Sequence, residues 1–174
     1  MFWLQIVKNF IQILRSGQTP RQIAGGFALG AAAGLMPFLT LQGLLLWLVI
    51  LVLDVNLSSA LLSVTLFALI AYIVDPVLHA LGYFFLTDIP SLHTLWTSLY
   101  NAPIAPLTRF NNTVVMGSFL CSLILFLPIY FGMKHFVVAY RAHIGSRIEK
   151  WKIYQLISTS APVRWYEKIK NLGS

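Results

Sequence analysis

Asp75 and His79 stand four residues apart in a strongly apolar run, so a helix sets both side chains on one face. An ionisable group at membrane depth is costly, and a carboxylate beside an imidazole there has the makings of a proton-responsive pair lining a cavity. The same aspartate, placed directly before Pro76, also fits the N-cap of a half-helix with proline at its first position. That cap accounts for Asp75 by itself and leaves His79 as a packed neighbour. Thr40 and Gln42 lie in a polar break of an earlier apolar tract. There they either bond a ligand headgroup or satisfy backbone groups that the break sets free. Arg21, at a helix start, opposes the macrodipole and suits a snorkelling or phosphate-facing role, or simple anchoring.

Constellations for covalent or acid-base catalysis are missing. His79, His93, His135 and His143 fall in different segments, and no H-E-x-x-H, C-x-x-C or paired carboxylates occur. With five acidic residues in the whole chain, little is left for proton transfer. No enzyme, cofactor or metal site is expected. The single Cys121 sits in an apolar run, which excludes a disulfide framework.

The elements that must position these residues follow from hydropathy. Of 174 residues, 58% are hydrophobic and 10% charged, against about a quarter charged in soluble domains. No charge occurs between Arg21 and Asp54. The expected fold class is an all-α integral membrane protein: a re-entrant helical hairpin plus two kinked transmembrane helices, with amphipathic interfacial helices at both ends. Residues 1–16 form the first interfacial helix, with Trp3, Val7, Phe10 and Leu14 on one side, rather than a cleaved leader. Thr19-Pro20-Arg21-Gln22 reads as a capping box with proline at the first helical position.

From Ile23 to Met36 a helix would reach only about 21 Å, short of the roughly 30 Å hydrocarbon core. Gly26, Gly30 and Gly34 repeat every fourth residue and make a smooth ridge for close packing, within the chain or against a partner helix. After the break at 37–43, the run 44–53 is again too short to cross. Residues 22–53 therefore read as a re-entrant hairpin, with one continuous kinked span as the rival.

Residues 57–86 form a crossing interrupted at Asp75-Pro76, and 113–133 a second, bent near Pro128. Between them, 87–112 is rich in proline and asparagine and carries a short amphipathic helix capped by Ser91. The membrane domain is expected to cover 1–145. A basic amphipathic tail, 146–174, carries Arg147, Lys150, Lys152, Arg164, Lys168 and Lys170. Directly after a span, such a tail meets anionic lipid headgroups rather than nucleic acid. Both ends are basic and the 87–112 segment has only Arg109, so both termini should be cytoplasmic and the number of crossings even.

The run TPRQIAGGFALGAAAGLMPFLTLQGLLLWL, Thr19 to Leu48, followed by Asp54-Val55-Asn56 and Asp75-Pro76, resembles a bacterial inner-membrane family of unknown function. Its pattern is a TPRQIAxGFALGxxxGxxPFxxLQ helix and turn, then an Arg-x-Asn turn and an Asn-Pro. This chain departs from it at Asp54, where the pattern has arginine, and at Asp75, where it has asparagine. The resemblance implies a place in the bacterial envelope, since some relatives look fused or adjacent to glycolipid enzymes or large periplasmic proteins.

The expected function is a non-enzymatic inner-membrane subunit that supports envelope lipid or glycolipid handling, with membrane lipids and a larger envelope or periplasm-facing protein as partners. One alternative is a homo-oligomeric transporter or channel for a small solute, using the broken helices. Another is a plain membrane anchor.

Overall fold

A computed structural model describes residues 2–15 and 17–144. The basic tail residues Arg147, Lys150, Lys152, Arg164, Lys168 and Lys170 lie outside the described residues, as do the side chains of Trp3 and Val7. The chain divides into two compact units, residues 1–137 and 138–174. Of the second, the last residues of one helix and a π-helical turn, Tyr140–Ile144, are described.

Six α-helices are described: α1 (Phe2–Arg15), α2 (Pro20–Leu35), α3 (Leu41–Val52), α4 (Leu57–Tyr83), α5 (His93–Tyr100) and α6 (Thr113–Ala139). No strand occurs among the described residues. At the start of α2 the Thr19 side chain accepts from the Gln22 amide at 3.3 Å, and the Gln22 side chain accepts from the Thr19 amide at 2.9 Å. The reciprocal bonds satisfy two of the donors that a helix start leaves open. Helix α2 stops because Pro37 pushes Met36 to an extended conformation, φ −90° and ψ 146°.

The helices α2 and α4 run parallel. Gly26 lies against Asn56, Gly30 against Ala60 and Gly34 against Val64, a constant offset along both helices. Helix α3 makes the return journey, so its end comes back to the start of α2: the Asn56 amide donates to the Gln22 carbonyl at 3.0 Å, and Gln22 Nε2 donates to Asp54 Oδ2 at 2.8 Å. Residues 22–53 are thus a hairpin whose two ends lie together. The last turn of α2, at Gly34, lies beside Ala68, about 17 Å along a helix α4 that is about 40 Å long at 1.5 Å per residue. Leu29, Ala33, Ile50 and Ala60 form a buried apolar cluster inside this three-helix arrangement, with Trp47 and Phe126 packed on it.

Two expectations need correction. Helix α4 is not interrupted at Asp75-Pro76: it runs unbroken from Leu57 to Tyr83 with Pro76 inside it, so Asp75 caps no half-helix. The missing proline N–H releases one carbonyl, that of Tyr72, whereas a break would release several in an apolar stretch that offers no partners. Continuing the helix is the cheaper solution. Nor does Ser91 cap α5. It lies in a 3₁₀ turn, Pro90–Leu92, and Leu92 precedes α5 with no side-chain cap bond. Helix α6 also contains its proline, Pro128, and runs from Thr113 to Ala139.

Helices α4 and α6 cross antiparallel at two glycines. A Cβ on Gly82 would collide with the Thr113 carbonyl, and one on Gly117 with the Leu78 carbonyl. Two stretches, Leu57–Asp88 of 32 residues and Thr113–Ala142 of 30, are long and apolar enough to cross a membrane. Only 17% and 28% of their most apolar windows are buried, whereas the central helix of a water-soluble protein would be mostly buried. Leu69, Ile73, Val77, Leu123, Ile124 and Leu127 all face outward.

Candidate functional site

The hairpin base is built by small and hydroxylated residues. Glycine at 26 and 30 lets the α4 backbone approach to direct contact, with the carbonyls of Asn56 and Ala60 where side chains would otherwise stand. Ser59 Oγ donates to the Ile23 carbonyl at 2.9 Å and Ser63 Oγ to the Phe27 carbonyl at 2.6 Å, tying the two helices in the same register. The ridge Gly26, Gly30, Gly34 is therefore consumed within the chain. It is not a free surface for another helix.

Against the start of α4 lies a groove of about 540 Å³. Ile6, Asn9, Gln12 and Ile13 of α1 form one wall; Asn56, Ser58, Leu61, Leu62 and Thr65 form the other. Its polar groups are uncharged amides and hydroxyls, and its remaining surface is aliphatic. Asn56 is the notable member. It is 5% exposed, its Oδ1 accepts from the Ser59 amide at 2.6 Å as the cap of α4, and its Nδ2 donates to no described residue. Asn56 lines the groove, and an amide donor with no protein partner there is one that a bound polar group can engage.

Sequence reasoning missed this groove, because it exists only where α1 meets α4. The residues it did single out are dispersed. Arg21 is exposed on the first turn of α2, at the hairpin base. Thr40, at the tip, is 2% exposed and spends its hydroxyl on the turn itself, donating to the Pro37 carbonyl at 2.9 Å and accepting from the Gly43 amide at 3.2 Å. Gln42 is partly buried, and its Oε1 is enclosed with no hydrogen-bond partner among the described residues.

Asp75 and His79 share an exposed face on the far half of α4. His79 Nδ1 lies 2.6 Å from Thr113 Oγ1 on α6, and its ring is 6.3 Å from that of Tyr83. Asp75 hydrogen-bonds no described residue. The two do not bond each other, and neither lines the groove. No group of three or more histidine, cysteine or acidic side chains is arranged to hold a metal among the described residues.

Helix pairing at Gly82 and Gly117 also went unnoticed in the sequence. Isolated glycines in apolar helices were the available signal.

No solved structure matches the chain. An uncharacterized protein of Treponema pallidum (strain Nichols) is 31% identical over 149 residues, which cover 86% of this chain and 91% of that protein. Residues 5–144 match the model of the family described as uncharacterized protein conserved in bacteria, DUF2062, and with four fifths of its length inside that match the chain belongs to this family.

Proposed function

We propose that this protein is a non-enzymatic subunit of the bacterial inner membrane that binds lipid at the base of a re-entrant hairpin and works with a larger envelope protein. In this reading α4 and α6 cross the bilayer, and α2 and α3 enter and leave on the cytoplasmic side together with both termini. The support for insertion is the outward-facing apolar surface of the two long helices. Re-entry is supported by the hairpin's two ends meeting at Gln22, Asp54 and Asn56 and by the last turn of α2, at Gly34, lying beside Val64 and Ala68 in the first half of α4.

The observation that carries lipid binding is the groove between α1 and the start of α4. It sits at the level of the hairpin base, where a headgroup meets the first methylenes of its acyl chains. Asn9, Gln12, Asn56 and Ser58 match a headgroup rich in hydroxyl or ester oxygens, and Leu61 and Leu62 match the chain. Such a site positions lipid without transforming it.

Native mass spectrometry of the full chain released from bacterial membranes tests this. A retained lipid is expected, lost when Ser58→Trp fills the groove. A lipid-free protein, or equal retention by the filled variant, would sink the reading.

The transporter alternative draws on Gln42, whose enclosed carbonyl oxygen lies at the hairpin tip. A continuous α4 leaves the hairpin as its one broken element among the described residues. Flux of small solutes into liposomes, abolished by Gln42→Leu, would favour it over lipid binding.

A further inference from the structure

We propose that the outer half of α4 is a self-association surface, on which Asp75 of one copy pairs with His79 of a second copy and the reverse. The inference rests on the membrane placement above and adds an assembly to it. Ala68, Tyr72, Asp75, His79 and Tyr83 are spaced so that they share one stripe of the helix, and all five are exposed. Tyr72 is 87% exposed.

The depth of this stripe makes its exposure significant. Thr113 lies beside Gly82, and Lys134 follows 21 residues later on α6, about 31 Å along the helix, which matches the hydrocarbon thickness. Asp75 precedes Gly82 by seven residues, which places it about 10 Å below that boundary. A carboxylate at such a depth facing acyl chains is costly unless something covers and pairs it.

The chain itself offers the partner. An isologous contact requires a self-complementary patch, and this stripe carries one acid and one base a single helical turn apart. His79 uses Nδ1 toward Thr113, so Nε2 is the atom left for a carboxylate of the second copy. Two such pairs form about one axis, with Ala68 allowing close approach and the tyrosines flanking it. The freed Tyr72 carbonyl lies on the same face and is covered by the same contact.

Counting photobleaching steps of the singly labelled full chain in liposomes at low protein density tests the proposal. Two steps are expected for the native sequence, and about tenfold weaker dimerisation for Asp75→Leu or His79→Leu. The exchanged variant Asp75→His/His79→Asp should pair with itself but not with the native chain. In a Cys121→Ser background, Tyr72→Cys should form an oxidised dimer and Leu48→Cys on α3 should not. One bleaching step for the native chain, unchanged dimerisation on removing Asp75, or a Tyr72→Cys crosslink to a different membrane protein would each overturn it. Lipid retention by the Asp75→Leu variant separates this outcome from failure of the groove reading.

Discussion

The Cα of Gly30 rests on the backbone of Ala60, with the Ala60 carbonyl in the space that a Cβ would need. The neighbour is main chain, so no rotamer change relieves the clash, and a larger residue must push the hairpin away from α4. Overpacking of this kind costs about 1–3 kcal/mol, and the upper end is expected where backbone is the obstacle. Gly30→Leu should therefore lower the unfolding midpoint of the isolated protein in lipid or detergent. Gly132→Ala, with nothing within 4 Å, should leave it unchanged or raise it. An unaffected Gly30→Leu variant would mean that the hairpin does not pack on α4.

Gly117 plays the same part for the second helix pair. Gly117→Val should separate α4 from α6 and break the contact between His79 and Thr113, leaving the Gly26 to Gly34 ridge in place. Disulfide formation between cysteines introduced at Gln22 and Asp54 reports the hairpin base; it should survive Gly117→Val but fail in Gly26→Val.

Thr40 is a helix cap whose hydroxyl also closes the turn. Thr40→Ala should lose about 1 kcal/mol of stability and Thr40→Ser should recover most of it. Equal lipid retention by all three forms is expected. A loss of lipid in Thr40→Ala at unchanged stability would assign the hydroxyl to a ligand instead.

Gln42 presents the opposite case. An enclosed amide oxygen without a partner costs roughly 1–3 kcal/mol, so Gln42→Met, of similar volume, should raise the melting temperature. A drop would reveal a partner that the amide serves.

Much of the hairpin was legible because its signals are local. The Thr19 capping box, the four-residue glycine repeat and the Pro37 stop each act within a turn or two of chain. Asp75-Pro76 misled for the same reason: as a dipeptide it looks like a helix start, but the long helical runs on either side decide the outcome. Gly82 and Gly117 have no period to betray them, and their role depends on two segments meeting. The groove needed α1 laid against α4, which no residue pattern announces. Asp75 and His79 were correctly placed on one helical face, while their outward direction depends on where α6 packs.

The proposed membrane placement requires the hairpin to return to the side it entered. Leu53, exposed at the end of α3, and Leu107, exposed between α5 and α6, are the informative positions. With Cys121→Ser as background, a membrane-impermeant thiol reagent applied to intact spheroplasts should label Leu107→Cys but not Leu53→Cys. Applied to inverted membrane vesicles, it should label Leu53→Cys alone. Labelling of Leu53→Cys only from the periplasmic side would make residues 22–53 a full crossing and contradict the account.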